Sequence, residues 1–503
     1  MYVTDAREAK QIDEYSIRQM HIPSLILMEH AALCTVQLLT ERITTEQPVL
    51  VVCGMGNNGG DGLAVARLLH QRGYSVQVVC VGDPNKASEQ TGIQLGMIRS
   101  LKIPLHETPP EQFRGVIVDA LFGIGLSRKI TGVFSEVIRW INEQQAFVCS
   151  LDIASGVCAD TGKIHGTAVR ADLTVTFGTF KRGHLLYPGL EYSGEVIPVD
   201  IGFPQEAVQK ISPRAFTRSL EEVLAALPTR KSRSHKGTCG RVLVIAGSPH
   251  MSGACYFAAA AAYRSGCGLV SVLTAAQNSE MIRNRLPEAL LQEIPVTSDW
   301  DAPTDEELQS LDLTIKDRIA WADVVVFGPG VGTSQVSGHI LEHILQISDK
   351  TVVLDADGIN LLAVEKKELP GANFILTPHV REMSRLCGIS VSHISDGPVE
   401  TLTQYLTGQE PPVVVLKDAR TVVGDGTQFY INTIGNNGLA TGGSGDVLSG
   451  VIAGLAAQGL APFDAACAGV GIHGATSEEY DKTGSRYSMM ASDILDTLTR
   501  VLP

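Results

Sequence analysis

The chain has 503 residues, of which 44% are hydrophobic and 19% charged, with a formal net charge of −14. That length exceeds a single hydrophobic core, so two or three domains are expected, and the apolar content excludes disorder. The acidic balance, with no Lys/Arg stripe to break it, excludes nucleic acid as a partner because a phosphate backbone would be repelled.

Met1 to Lys10 carries acidic residues and no apolar core, which excludes a secretory signal. The long uncharged run Val447–Phe463 is interrupted by glycines, Gln458 and Pro462 and is too short to span a bilayer, so it reads as a buried core helix and no membrane partner is expected. Ten cysteines without a CxxC, mostly inside apolar runs, read as small buried hydrophobes of a reducing compartment. A cytoplasmic protein is expected. Fifty glycines with only 5% aromatics favour nucleotide-binding α/β folds, where ligands approach the backbone closely.

In chain order, β-branched runs predict strands at Val49–Cys53, Ser75–Val81, Val116–Asp119, Phe147–Asp152, Leu173–Phe177 and Glu195–Val199. Helical periodicity covers Leu63–Arg72 and Phe134–Glu143. A second series follows at Arg241–Ala246, Leu269–Leu273, Val324–Phe327, Val352–Asp355, Phe374–Thr377 and Val413–Lys417. Alternating strands and helices imply βαβ units with largely parallel sheets, and two series imply two α/β domains. The stretch from Phe203 to Gly237 loses strand patterning and ends in a basic, turn-rich run, Arg230 to Gly237, that reads as solvated domain entry. The expected division is 1–215, a linker 216–228, and 229–503.

The first strand runs into Gly54-Met55-Gly56-Asn57-Asn58-Gly59-Gly60-Asp61-Gly62. This contains GxGxxG, and Asp83 near the end of the next strand stands where a ribose contact would fall, so a dehydrogenase-type site is the first rival. Against it, Asn57, Asn58 and Asp61 crowd polar side chains where that fingerprint wants bare backbone, and Asp61 would repel a pyrophosphate. Downstream, Val118-Asp119-Ala120-Leu121-Phe122-Gly123-Ile124-Gly125 and Leu151-Asp152-Ile153-Ala154-Ser155-Gly156 put aspartates at strand ends, the edge where ligands bind in open parallel sheets. Any one such aspartate is more often a helix cap; three polar loops on one edge favour a site.

NNGGDG after a strand, then VDALFGIG, then LDIASG resembles the NAD(P)H-hydrate epimerase family through most of residues 1–215. The resemblance implies a Rossmann-like three-layer domain in which Asn57, Asn58, Gly59, Gly60 and Asp61, the loop Gly123, Ile124, Gly125, Leu126, Ser127, Arg128 and Lys129, and Asp152 bind the hydrated dinucleotide. It also implies a potassium ion held by Asn58, Asp119 and Ser155, hard oxygen donors suited to such a cation. Epimerisation at the hydroxyl-bearing carbon needs proton transfer, for which Asp152 is the expected acid/base. Lys181 is a weaker candidate, since a glycine-flanked lysine after a strand is more often a surface charge.

In the second half, Thr441-Gly442-Gly443-Ser444-Gly445-Asp446-Val447-Leu448 opens the apolar helix. Glycines at a helix start leave N–H groups facing outwards as an anion hole, and Asp446 in the first turn is placed to take a proton from an attacking hydroxyl. The alternative, a capped core helix with close-packing glycines, is outweighed by the composition of the string. Gly247-Ser248-Pro249-His250-Met251-Ser252-Gly253-Ala254, Gly328-Pro329-Gly330-Val331-Gly332, Thr377-Pro378-His379-Val380-Arg381-Glu382 and Leu416-Lys417-Asp418-Ala419-Arg420-Thr421 each follow a strand.

This set resembles the ribokinase-like fold and, more closely, its ADP-dependent NAD(P)H-hydrate dehydratase branch. The resemblance implies that Gly253, Gly332, His379 and Asp446 contact the hydrated dinucleotide, while Lys417, Asp418, Ala419, Arg420, Thr421 and Gly445 hold ADP or ATP. A lone histidine is more often a cap or core residue than a ligand; the setting of His379 favours the ligand role. Asp355 and Asp357 are candidates to assist magnesium, with strand-end capping equally open. The expected function is repair of hydrated NADH and NADPH (NADHX and NADPHX) by epimerisation and nucleotide-dependent dehydration, in a homo-oligomer. The alternative is a ribokinase-like small-molecule kinase fused to a non-catalytic binding module.

Overall fold

Seven parallel strands organise the first of two units, Met1–Phe216 and Thr217–Pro503, into which the computed structural model of residues 1–503 divides. The first unit runs β1 (Tyr2–Thr4), α1 (Ala6–Arg18), α2 (Ser24–Thr40), β2 (Val49–Cys53), α3 (Asn57–Gln71), β3 (Val76–Cys80), α4 (Glu89–Ser100), β4 (Leu105–His106), β5 (Arg114–Ala120), α5 (Val133–Glu143) and β6 (Gln145–Leu151). It continues with β7 (Leu173–Phe177), β8 (Phe180–Lys181), the single turns α6 (Arg182–Leu185) and α7 (Leu190–Ser193), β9 (Glu195–Val199), α8 (Gln205–Ile211) and β10 (Ala215–Phe216).

The sheet order is β4-β3-β2-β5-β6-β7-β9, every pair parallel. The chain travels outward from β2 to β4, then returns to lay β5 on the other side of β2. That reversal opens a crevice at the carboxyl ends of β2 and β5, where the expected Rossmann-like architecture places a ligand. One face of the sheet carries a core built with α2, α3 and α4, including Val36, Leu39, Leu63 and Ile98. The other carries Ile117, Ile138 and Ile141 with α5, which completes three layers.

Helix α3 begins at Asn57, six residues before the periodicity predicted it, because the glycine-rich string is itself its first turns. The glycines serve close approach: a Cβ on Gly59 would stand 1.9 Å from the Gly54 carbonyl oxygen.

The second unit contains α9 (Leu220–Ala225), β11 (Arg241–Ile245), α10 (Ser252–Arg264), β12 (Leu269–Thr274), α11 (Ser279–Arg285), β13 (Leu290–Glu293), α12 (Asp305–Trp321), β14 (Val324–Phe327) and α13 (Gln335–Ile344). It goes on through β15 (Thr351–Leu354), α14 (Asp357–Glu365), β16 (Phe374–Leu376), α15 (Val380–Cys387), α16 (Val391–Asp396), α17 (Pro398–Tyr405), β17 (Val413–Leu416), β18 (Val422–Gly424), β19 (Phe429–Ile431), α18 (Ser444–Ala457), α19 (Pro462–Tyr480) and α20 (Ala491–Val501).

Its strands lie in the order β13-β12-β11-β14-β15-β16-β17-β18-β19, parallel as far as β17 and antiparallel beyond. A second reversal lies between β11 and β14. The stretch 216–228 holds α9, a helix with a Ser219–Glu222 capping box whose Val223 is fully buried against Gly471 of α19. The uncharged run Val447–Phe463 spans the end of α18 and the start of α19, broken at Gly459 with φ +99°.

Helices α10 and α18 run parallel in unusually close contact. A Cβ on Gly450 would stand 2.1 Å from the Ala258 carbonyl oxygen, and one on Gly454 would stand 2.6 Å from that of Ala262. All ten cysteines are free; burial pushes the Cys80 and Cys255 thiols up to about 11, which keeps them protonated and inert. No helix is long and apolar enough to cross a membrane.

Candidate functional sites

In the first unit, Asp119 leaves the end of β5 fully buried, and its carboxylate is a hub. Oδ2 accepts from Ser150 Oγ at 2.8 Å and Ser155 N at 2.9 Å; Oδ1 accepts from Ser155 Oγ at 2.6 Å and Leu121 N at 3.3 Å. Burial pushes its pKa up and these bonds pull it back. Ser155 Oγ in turn accepts from Phe122 N at 2.9 Å, so two of the expected loops meet at one point. Asn58 packs against Gly123 from the facing loop, and its Nδ2 is buried with no hydrogen-bond partner. Arg128 and Lys129 at the far end of that loop are exposed.

Asp152 follows β6 with φ +61°, a left-handed conformation that costs a non-glycine residue energy and is retained where surrounding structure fixes it. Its Oδ1 accepts from Thr176 Oγ1 and Phe177 N, both at 3.3 Å, and from Lys181 Nζ. All three use Oδ1.

The expectation that Lys181 is a surface charge is overturned. It is 2% exposed, and its ammonium also donates to Thr176 Oγ1 at 2.9 Å and Phe177 O at 3.1 Å. A buried ammonium needs a carboxylate and a full donor shell, and Asp152 with the β7 end supplies both. His184 accepts the Lys181 N–H at Nδ1, 3.1 Å away, and burial lowers its pKa to about 3, so it is neutral beside the pair.

Two further carboxyls feel Asp152. Burial first, then the charges of Asp152 and Asp13, push Asp61 well above the ordinary carboxylate range. Asp13 on α1 is raised as well, by burial, Glu14 and Asp152. Asp13 was missed in the sequence, where it looks like one more acidic residue on the polar face of a helix; only the docking of α1 brings it here.

In the second unit, Gly443 at φ +86° turns the chain into α18, and a Cβ there would stand 3.0 Å from the Phe257 ring of α10. The start of α18 is therefore packed on α10. Asp446, the third residue of α18, is pushed up to about 7 by burial, then by the charges of Asp355 and Asp357, against the pull of Lys417.

Beneath it, three neighbouring strand ends are tied together. Asp355 after β15, 1% exposed, accepts from Thr377 Oγ1 after β16 at 2.7 Å and from Lys417 Nζ after β17 at 2.9 Å. Ser449 Oγ, one turn along α18, donates to the other Asp355 oxygen at 2.6 Å. Burial opposes the charge of Lys417, but Asp355 and Glu382 outweigh it and raise its pKa. A Cβ on Gly445 would lie 3.2 Å from that ammonium, so bare backbone and cation adjoin.

Lys417 thus sits in the carboxylate cluster, while Asp418 to Thr421 form the turn between β17 and β18, with Asp418 and Ala419 exposed and Arg420 donating to the Thr433 carbonyl at 2.9 Å. His379 is the N-cap of α15: its Nδ1 accepts from Arg381 N at 3.1 Å and Glu382 N at 3.2 Å. Its side chain remains 48% exposed, so capping and ligand contact are compatible. Gly332 N–H donates to Asp357 Oδ2 at 2.9 Å. Of the two magnesium candidates, Asp355 has both oxygens hydrogen-bonded beneath the surface, and Asp357, less buried, accepts from Gly332 N at Oδ2 and from Asn360 Nδ2 at Oδ1, 3.3 Å away. Ser449 and Phe257 were not singled out from sequence; a hydroxyl three residues past Asp446 is the one signal available for Ser449.

Comparison with known proteins follows the same division. A family model described as YjeF-related protein N-terminus matches residues 24–183, and one described as NAD(P)H-hydrate dehydratase matches residues 242–500. The bifunctional NAD(P)H-hydrate repair enzyme Nnr of Moorella thermoacetica is 36% identical, over 100% of this chain and 97% of its own length. Those of Coxiella burnetii and Escherichia coli are 35% and 34% identical, covering 99% and 90% of this chain and 98% and 84% of theirs. Among solved structures, a ribokinase-like superfamily protein from Enterococcus faecalis superimposes with TM-score 0.50 at 26% identity, over 57% of this chain and 94% of its own. A Streptococcus mutans protein does so with TM-score 0.50 at 30% identity, over 57% and 98%.

Proposed function

This chain belongs to the bifunctional NAD(P)H-hydrate repair enzymes, and from that premise we propose how its two sites divide the work. The single observation that carries the proposal is the pairing of two unlike carboxylate centres: Asp152 clasped by a buried lysine in one unit, and Asp446 raised to about 7 at a glycine-lined helix start in the other.

In the first unit, the hydrated nicotinamide of NADHX or NADPHX lies against Asn57–Asp61 and Gly123–Lys129. The proton-bearing carboxyl of Asp61 protonates the ring hydroxyl, and water departs as the ring-nitrogen lone pair forms a C=N bond. Asp152, paired with Lys181, balances the resulting cation, so the acid/base role expected of Asp152 passes to Asp61 in this reading. Water then adds to the opposite face and returns its proton to Asp61, giving the other epimer. The amide oxygen of Asn58, the carboxylate of Asp119 and the hydroxyl of Ser155 are hard oxygen donors that suit a potassium ion, and Asp119 and Ser155 already meet at one point. Such an ion would supply positive charge beside the loops that hold the substrate.

In the second unit, Asp446 takes the proton from the substrate hydroxyl as that oxygen attacks the terminal phosphorus of ADP or ATP. The N–H groups of Gly443 to Gly445 and the Lys417 ammonium stabilise charge on the transferring phosphoryl group. Phosphate is a far better leaving group than hydroxide; the ring nitrogen expels it to give an iminium cation, and loss of a proton from the adjacent ring carbon to solvent restores the ring double bond of the reduced cofactor. Magnesium would be held by Asp357 with the nucleotide phosphates and would neutralise their charge. His379, Gly253 and Gly332 contact the dinucleotide, and Asp418 to Thr421 the nucleotide.

The test supplies mixed NADPHX epimers with ADP or with ATP, with and without potassium, and follows near-ultraviolet absorbance. Wild type converts all of the substrate, Asp152→Ala stops near half, and Asp446→Asn converts none. Phosphate retained on a stable organic product would instead establish a small-molecule kinase.

A further inference from the structure

Away from both sites, on the outer helices of the second unit, His339 and His343 stand four residues apart on α13, so both imidazoles project from one face. Asp312 on α12 meets them. Its Oδ1 lies 2.6 Å from His339 Nε2 and 2.7 Å from His343 Nε2, and the two rings are nearly perpendicular with centroids 5.4 Å apart. The three side chains are 24%, 14% and 33% exposed, partly desolvated yet open to solvent on one side.

We propose that Asp312, His339 and His343 form a binding site for a divalent transition-metal cation of the zinc class, clamping α12 to α13. Two neutral imidazoles and one carboxylate are a donor set that such ions favour, and a solvent water completes four-coordination. The three ligand atoms already lie within 4.8 Å of one another, so small side-chain rotations bring all of them to coordination distance.

The ion takes the Nε2 lone pairs of two imidazoles that carry their protons on Nδ1, so metal and proton compete for the same nitrogens. Its consequence is local: α13 is anchored at its other end by Ser337 Oγ, which donates to Val331 O at 2.8 Å, within the Gly330–Gly332 loop of the nucleotide-side edge. A clamp on α13 therefore steadies the loop whose Gly332 N–H holds Asp357.

The experiment uses the full chain freed of metal by a chelator. Zn2+ is titrated in competition with a chromophoric chelator, and Co2+ is added separately to record its visible spectrum. One equivalent of Zn2+ is expected to bind at micromolar affinity or tighter. The loss in His343→Gln and in Asp312→Asn should be tenfold or more, since even outer partners of metal ligands cost about 10- to 100-fold. Co2+ should give d–d bands without the thiolate charge-transfer band that any of the ten cysteines would produce. Circular dichroism confirms that each variant is folded, and the two variants lie on different helices, so agreement between them excludes a folding defect. Absence of stoichiometric binding, unchanged affinity in His339→Asn/His343→Gln, or a thiolate band would each overturn the proposal.

Discussion

Ser449 Oγ and Asp355 Oδ2 are 2.6 Å apart, a buried hydrogen bond that ties α18 to the sheet edge from which Lys417 projects. The helix that carries Asp446, the proposed base, and the Lys417 ammonium therefore share one anchor. Ser449→Ala leaves an Asp355 oxygen short of a buried donor, at a cost of about 1–3 kcal/mol. The expected result is a lower melting temperature and a fall in dehydratase kcat that exceeds any change in KM, with epimerase activity unchanged.

Asp446→Asn removes the base itself. Positioned bases contribute about 10²- to 10⁴-fold, so dehydration should fall by at least the lower figure while nucleotide binding, measured by calorimetry, persists. For the wild type, the base works only when ionised, so kcat/KM should rise with pH through about 7.

The same raised pKa makes a stability prediction. The folded state holds this proton more tightly than the unfolded chain does, so the stabilisation is complete below the ordinary value of 3.8 and is lost as pH rises through about 7. At 1.36 kcal/mol per unit, the ionised group costs at most about 4 kcal/mol at pH 8. Asp446→Asn should therefore melt higher than wild type at pH 8 and converge with it near pH 4.

In the first unit, Lys181→Met leaves Asp152 buried without its counter-ion, which costs about 3–5 kcal/mol. Adding Asp152→Asn should recover most of the loss in thermal stability, because the uncompensated charge is gone, but no epimerase activity. A double-variant cycle that proved additive would show that the pair is not coupled.

Asp61 is assigned as the proton donor, so the epimerase rate should decline as pH rises through its elevated pKa. Asp61→Asn should abolish activity, and Asp61→Glu should restore part of it with a displaced alkaline limb. A wild-type profile flat on the alkaline side would remove Asp61 from the chemistry.

The strands were legible because parallel sheets covered on both faces write continuous β-branched runs: Val49–Cys53, Leu173–Phe177, Glu195–Val199 and Val324–Phe327 stand where the sequence puts them. The motifs that carry Asn58, Asp119, Asp152 and Asp446 were legible for a related reason, since each lies directly after a strand or opens a helix. What local reading could not reach was pairing across distance. Lys181 reads as exposed until Asp152, 29 residues earlier, is seen to neutralise it, and the bonds of Asp355 to Thr377, Lys417 and Ser449 are invisible until the strand ends are brought together. The start of α3 was misjudged because glycine weakens helix propensity, whereas the contact of Gly59 with Gly54 outweighs that here.

The carbonyl of Ala258 touches Gly450 where no side chain intervenes, and that contact fixes how far Asp446 stands from the start of α10. Positions with no chemistry of their own thereby act as the spacer of the second site, as a shim does between machined parts. A single methyl group inserted there would push the two helices apart and carry the base out of register with its phosphate pocket. Selection for dehydration should be felt at Gly450 and Gly454 as sharply as at the aspartate they support.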